Sequence, residues 1–360
     1  MAPCNDRLSH GSESKPMKIL VTGNKGYIGS VLMPMLTSKG YDVLGYDIGY
    51  FEDCLLYPFK ENYIHFKKDI RDIEKKDVEG IDAVIHLAGL SNDPLGDLAP
   101  GLTEEINLYG SLKLANYAKK AGVKRFIYSS SQSMYGISNT DSELDEDDSE
   151  KKAITAYAKT KWEAECKLMK MQSSDFKVIS YRPSTVFGAS PRLRCDIVFN
   201  NLVASAFTTG LIEIKSDGTP WRPVVHVQDV CLALISGLEA PIELVGGRAF
   251  NVGIPEGNFT VRYLAEVAKS SVPGSNLKFT REHGKDSRTY RVGFNRILTE
   301  LKDYYKPKWN LEKGGNQIVK LFEKVKFTED QFRGPTCNRL SKLKNLQQKN
   351  YIDEEMRRVE

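Results

Sequence analysis

The sequence predicts an α/β protein: a doubly wound parallel sheet with a smaller α/β C-terminal lobe. Three observations carry this. A short apolar run, Ile19-Leu20-Val21, reads as a buried strand; Gly23, Gly26 and Gly29 follow, and then a helical pattern begins at Ser30. Short apolar runs alternate with helical patterns through the first half of the chain, as in a parallel sheet covered on both faces. After Gly188 the alternation loosens, and Pro220, Pro223, Pro241, Pro255 and Pro273 punctuate a second region.

Taken in order, the expected strands of the first half are Lys18–Thr22, Asp42–Tyr46, Tyr63–Phe66, Ala83–Leu87, Arg125–Ser129 and Lys177–Tyr181. Helices are expected between them, among them Thr103–Ala121 and Thr155–Gln172. The acidic stretch Asn139–Lys152 reads as an exposed, solvated loop. Val245–Val252 and Leu277–Thr280 read as isolated strands of the second region. The expected organisation is a disordered leader over 1–16 and a cofactor-binding domain over 17–189, with a return segment near 224–242. A substrate lobe over 190–223 and 243–335 and a charged, helical tail over 336–360 complete it.

The glycine loop carries the first chemical inference. A strand, a glycine turn and a helix N-terminus together form a cradle for a diphosphate. Gly23 permits the tight turn, Gly26 lets backbone approach phosphate, and Gly29 lets helix and strand pack closely. The spacing is G-x-x-G-x-x-G rather than G-x-G-x-x-G. Asp47 ends the next strand about 18 residues beyond Gly29, where an acid can hold a ribose 2′-hydroxyl. A carboxylate there would repel a 2′-phosphate, and no arginine follows directly in Ile48-Gly-Tyr-Phe51. Both points favour NAD over NADP.

Composition excludes other classes. The chain has 360 residues, 41% of them hydrophobic, and a formal charge of +4, which calls for neither nucleic acid nor membrane as partner. No apolar run approaches a membrane span, and Met1–Pro16 lacks the apolar core of a signal peptide. The six cysteines form no C-x-x-C pair and the five histidines no cluster, so no metal site is expected; a cytoplasmic protein with free thiols fits.

Two further elements point to proton transfer. Tyr157 and Lys161 are four apart in a helical pattern and share a face. An ammonium one turn away favours the phenolate and makes the tyrosine a usable acid or base. Arg125-Phe-Ile-Tyr-Ser-Ser-Ser131 is a buried strand ending in hydroxyls, at the sheet edge where open α/β folds place ligands. Spacing alone also fits a surface Tyr–Lys pair and a capping serine.

In combination these segments resemble the extended short-chain dehydrogenases/reductases, in the nucleotide-sugar epimerase/dehydratase group, from about Met17 to Trp309. The carrying motifs are Gly23-x-x-Gly26-x-x-Gly29, Asp47, Asp69-Ile70, His86-Leu-Ala-Gly89, Asn107, Ser129 to Gly136, Tyr157-x-x-x-Lys161, Arg182 to Gly188 and Arg222 to Val230. The resemblance implies a Rossmann domain, NAD as cofactor, a nucleotide-diphosphate sugar as substrate and a homodimer. It implies Tyr157 as acid/base, Lys161 tuning it and holding the nicotinamide ribose, and Ser131 holding the substrate oxygen. Gly23, Gly26, Tyr27, Ile28, Gly29, Asp47, Asp69, Ile70, Leu87, Ala88, Gly89, Asn107, Ser129, Tyr157, Lys161 and Pro183 would surround the cofactor. Ser131, Thr185, Asn201, Arg222 and Arg288 would meet the substrate, the arginines its diphosphate.

The departures narrow the reaction. Dehydratases of this group carry Asp-Glu after the serine or threonine; here Gln132-Ser133 stands there, which disfavours elimination of water. Thr185 replaces the usual Asn, Phe187 a Tyr, Pro223 an Asp, and Gly89 an Ala beside the nicotinamide. The expectation is an NAD-dependent epimerase-like enzyme that transiently oxidises a sugar carbon, carbon 4. A nucleotide-sugar ketoreductase or dehydrogenase, or a non-catalytic NAD sensor, are the alternatives.

Overall fold

Buried β-branched and aromatic runs pair into one all-parallel, seven-stranded sheet in the computed structural model, which describes residues 15–91, 99–138, 140–282 and 289–359. In chain order the strands are β1 (Lys18–Thr22), β2 (Asp42–Tyr46), β3 (Ile64–Phe66), β4 (Ala83–His86), β5 (Arg125–Ser129) and β6 (Lys177–Pro183). They continue as β7 (Thr185–Phe187), β8 (Leu211–Ile214), β9 (Trp221–His226), β10 (Arg248–Val252), β11 (Asn258–Thr260) and β12 (Asn276–Phe279). The large sheet runs β10-β6-β5-β4-β1-β2-β3. The chain reverses direction across the sheet between β1 and β4, which opens a crevice at their C-terminal ends.

Side-chain alternation divides the core into two layers. Ile19 and Val21 of β1 face the layer containing the Gly29–Ser38 and Val227–Glu239 helices, while Leu20 faces the layer containing the Gly110–Lys120 and Ala156–Lys170 helices. A π turn over Glu105–Tyr109 interrupts the helical run that begins at Pro100. The smaller lobe holds the sheet β11-β9-β7 and the pair β12-β8. No helix of the described residues is long and apolar enough to cross a membrane.

Four expectations change. The strand expected to stand alone near Val245–Val252 is β10, paired in parallel with β6 through Arg248↔Ile179 to Val252↔Pro183, so it closes the large sheet rather than joining the substrate lobe. The strand near Leu277 is also paired, as β12 against β8. The acidic loop is not solvated throughout: Glu146 is 6% exposed, accepts from the Asn251 amide at 2.8 Å and lies 3.7 Å from Arg296. The tail is helical only over Arg339–Gln348; beyond it an Ile352↔Arg358 bridge forms, and Leu343, Ile352 and Met356 enter the second core layer. Its charge disguised three buried apolar anchors. The leader lies outside the described residues up to position 14.

Candidate active site

The crevice at the β1/β4 reversal is a cavity of ≈ 530 Å³ with the large sheet as its floor and the second lobe as its far wall. Gly23 (φ 74°) makes the turn after β1, its amide donating to Tyr46 O at 2.9 Å. A Cβ on Gly29 would lie 2.4 Å from Gly23 O, so helix and turn touch backbone to backbone. That close approach presents the loop amides and the helix N-terminus to the cavity, as a diphosphate requires. The Tyr27 side chain turns away: its hydroxyl donates to Gly188 O at 2.6 Å, leaving its backbone for the ligand. Gly29→Ala is expected to weaken NAD binding about tenfold or more by pushing the helix off the turn, read by calorimetric titration; an unchanged affinity would contradict the cradle.

At the end of β2, Asp47 Oδ2 accepts from the Lys25 amide at 3.1 Å and Oδ1 from the Gly49 amide at 2.7 Å. Burial lifts its carboxyl above the usual range, against the pull of those two donors. Asp69 caps the turn at Ile70, binds the Arg71 guanidinium (Nη2 to Oδ2, 2.6 Å) and lies 3.3 Å from Arg357. Asp69 and Ile70 both line the cavity, with Leu87, Ala88 and Gly89 from the end of β4.

Two of the expected residues lie outside the cavity lining. Asn107 does not line the cavity; its amide binds Leu90 twice, accepting from N at 2.8 Å and donating to O at 3.0 Å. It shapes the post-β4 loop from behind. The residue at position 89 must be small for the same reason, since a Cβ on Gly89 would meet Asn107 Oδ1 at 2.8 Å. Asn201 sits one turn beyond the cavity-lining Ile197 and Val198 but is not itself part of the lining, and it donates to Cys195 O at 2.9 Å. Its neighbour Asn200 is the buried one, accepting from Gly188 N at 3.0 Å and donating to Arg194 O at 2.8 Å. Arg288 lies outside the described residues.

Ser129, Ser131, Tyr157, Lys161, Pro183 and Thr185 meet along one wall. Tyr157 and Lys161 are brought there by the helix whose first turn Thr155 caps, accepting from the Ala158 amide at 3.2 Å. Lys161 is 7% exposed, its ammonium 4.5 Å from the centre of the Tyr128 ring. Burial brings its pKa down to about 7, offset in part by Glu165. Ser131 Oγ accepts from the Ser133 amide at 3.1 Å and lies 2.8 Å from Ser133 Oγ. Ser133 lines the cavity, but Gln132 is turned into the sheet, donating to Arg182 O at 2.9 Å and accepting from Ser184 at 3.1 Å.

On the far wall, Arg222 lines the cavity as expected. Sequence reasoning missed Arg194, Asp196 and Tyr290 of the lining and, over the Phe51 ring, Arg339 from the tail. Arg194 grips Asp196 through Nε at 2.8 Å and Nη2 at 3.1 Å and donates to Ser91 Oγ at 2.9 Å. The Arg192-Leu-Arg194-Cys-Asp196 run just after Gly188 was a legible signal for this wall.

A glycine cradle, a ribose-level acid and a Ser–Tyr–Lys wall on a doubly wound sheet define a dinucleotide-dependent enzyme of the short-chain dehydrogenase/reductase type. The chain belongs to the NAD dependent epimerase/dehydratase family, whose model matches residues 19–253, and it is an NAD-dependent enzyme. It is 31% identical over 267 residues to a UDP-glucose 4-epimerase of Bacillus subtilis, covering 67% of this chain and 78% of that one. It is 26% identical over 341 residues to UDP-glucuronic acid decarboxylase 1 of Arabidopsis thaliana, covering 91% and 75%. Among solved structures it is similar to the UDP-glucose 4-epimerase of Thermotoga maritima with UDP-glucose. There the TM-score is 0.74 at 25% identity, covering 86% of this chain and all of that one.

Proposed function

We propose that this enzyme is a nucleotide-sugar epimerase that transiently oxidises a sugar carbon, carbon 4, with Tyr157 as the acid/base. The observation that carries the reading is the composition of the wall around Ser131. Serine hydroxyls and one tyrosine–lysine pair are present, and neither residue after Ser131 supplies a carboxylate to the cavity. Elimination of water needs a second acid/base beside the sugar; reversible oxidation of one hydroxyl needs a single relay.

When bound, the nicotinamide supplies a reversible hydride acceptor. Tyr157 Oη takes the proton of the sugar hydroxyl and later returns it. The Lys161 ammonium stabilises the phenolate and holds the ribose hydroxyls. Ser131 Oγ donates to the sugar oxygen as it becomes a carbonyl. Arg222 neutralises the substrate diphosphate, and Thr185 holds the sugar from the same wall as Tyr157. Asp47, whose burial disfavours further negative charge beside it, fits a bare ribose rather than a 2′-phosphate. The reading includes a homodimer in the cytoplasm, the first part of which sedimentation velocity checks.

The test is a thermal-shift screen of UDP-, GDP-, dTDP- and CDP-sugars with NAD present, followed by sugar analysis of the mixture. One nucleotide class should raise the melting temperature by mass action, and its sugar should interconvert with the 4-epimer without accumulation of NADH. Stoichiometric NADH would instead make the enzyme a dehydrogenase. Tyr157→Phe should lose turnover by about 10²–10⁴-fold at unchanged NAD affinity.

A further inference from the structure

The C-terminal segment lies beyond residues 19–253, yet it is built into the cofactor side of the cleft. Asn338 caps its helix, accepting from the Ser341 amide at 2.9 Å, and sets Arg339 as the first helical residue. Arg339 is 1% exposed and lines the cavity. Its backbone amide donates to Asp196 Oδ2 at 3.3 Å and its Nη2 to Arg192 O at 2.8 Å. Its guanidinium lies 4.5 Å from the centre of the Phe51 ring. Its Nη1 is buried without a hydrogen-bond partner.

A buried guanidinium with an unpartnered donor gains most from an acceptor that carries charge, and Arg339 holds such a donor beside a ligand cleft. Asp196 does not complete it, because the Asp196 carboxylate is gripped by Arg194 through two nitrogens. Burial holds Arg339 below its ordinary proton affinity, which the neighbouring thiol of Cys54 and Asp196 only partly restore.

Location selects the anion. Phe51 stands four residues after Asp47, on the loop leaving β2, and Asp47 is the acid expected at the adenosine ribose, which makes this the expected adenosine side of the cleft. The rest of the tail is tied to the same side. The Tyr50 hydroxyl donates to Met356 O, Arg71 Nη1 donates to Glu355 O at 2.9 Å, and Arg357 pairs with Asp72 at 2.7 Å. Lys342 pairs with Asp53 at 2.6 Å. The residues expected to meet the sugar nucleotide, Thr185 and Arg222, belong to other segments of the lining.

We propose that Arg339 is a diphosphate-binding residue of the dinucleotide site, delivered by the C-terminal segment, which closes the adenosine side of the cleft. The inference concerns the cofactor and stands apart from the sugar chemistry above. The experiment is calorimetric titration of full-length, nucleotide-free protein with NAD, ADP, adenosine and UDP, adenosine being measured by competition against ADP. Arg339→Gln should weaken NAD and ADP about 10–100-fold, the range for losing a charge-assisted contact, and leave adenosine and UDP unchanged. Arg339→Lys, which keeps the charge but not the fork, should weaken ADP about 3–10-fold with adenosine unchanged, and it answers the question if the Gln variant does not fold. Equal losses for ADP and adenosine would make Arg339 a packing residue only. Loss of UDP with ADP intact would assign it to the substrate. Either result, or unchanged ADP affinity in both variants, overturns the proposal.

Discussion

Lys161→Met is expected to abolish turnover while raising the thermal stability of the cofactor-free protein. Lys161 is nearly fully buried, and its ammonium has the Tyr128 ring as its close partner. Its proton affinity falls to about 7 because burial disfavours the charge. In the unfolded chain the same lysine holds its proton up to about 10.4. The unfolded state therefore binds more protons between these values, and wild-type stability rises with pH across that window. Below about 7 the penalty is fully present; above about 10 it is gone. Methionine has similar length and no charge, so its stabilising effect should be largest near neutrality and shrink toward pH 10. A rise of a few degrees in melting temperature at pH 7 is expected, by roughly 2–4 °C per kcal/mol for large domains. Turnover should fall about 10²–10⁴-fold, the usual worth of a positioned proton relay. A variant that is both less stable at pH 7 and still active would refute this assignment of Lys161.

Glu165→Ala should be among the most destabilising single changes in the cofactor domain. Glu165 lies one turn beyond Lys161 and points into the sheet, 2% exposed. It accepts from Arg182 Nε at 3.0 Å and from Ser180 Oγ at 2.8 Å. Arg182 is 3% exposed; burial pulls its proton affinity down, and Glu165 more than restores it. Alanine leaves a buried guanidinium without its carboxylate, a loss of about 3–5 kcal/mol. The melting temperature should drop by roughly 5–15 °C. Arg182 also donates to Tyr135 Oη at 3.0 Å and Glu146 O at 2.9 Å, so the acidic loop should loosen with it. Glu165→Ala combined with Arg182→Met should be less destabilised than Glu165→Ala alone, because the orphaned charge is then absent. Calorimetry on the three variants checks this; an additive double variant would show that the pair does not act as a unit.

The proposed mechanism depends on this pair indirectly. Glu165 is the carboxylate that raises the proton affinity of Lys161 against its burial. The structural ion pair and the proposed proton relay therefore share one helix, one turn apart. Variants of Glu165 should shift the pH profile of turnover to lower pH where they still fold.

The fold was largely legible because its signals are local. The continuous apolar run of β1, the glycine turn and the cap at Thr155 need only neighbours in sequence to act, and each marks its element within a residue or two. The convergence of the glycine loop, Asp47, Ser131, Tyr157 and Lys161 on one crevice was legible for the same reason, since they sit at strand ends and on a helix that periodicity locates. β10 escaped this reading because pairing is a tertiary event: nothing inside Arg248–Val252 says which strand lies beside it.

Side-chain direction was the second thing hidden. Asn107 and Gln132 occupy motif positions expected beside the ligand, yet each is bonded elsewhere: to the Leu90 backbone for one, to the Arg182 carbonyl and the Ser184 hydroxyl for the other. The His226-x-x-Asp229 motif serves packing as well. His226 stacks on Trp309 with ring centres 4.1 Å apart, and Asp229 accepts from the Lys308 and Trp309 amides at 2.8 and 3.1 Å.

By itself, then, the sequence determined the glycine cradle, the acid at the end of β2 and the Ser131, Tyr157 and Lys161 wall. These depend on backbone geometry and helical spacing, which short segments encode. Only the tertiary structure decided what faces them. Arg194 and Asp196 share one segment, Arg339 lies far along the chain from it, and long-range packing alone brings the two segments to the same cavity. The tail shows why: its charges read as solvated surface, but Leu343, Ile352 and Met356 bury enough apolar area to dock it on the cofactor domain and carry Arg339 inside.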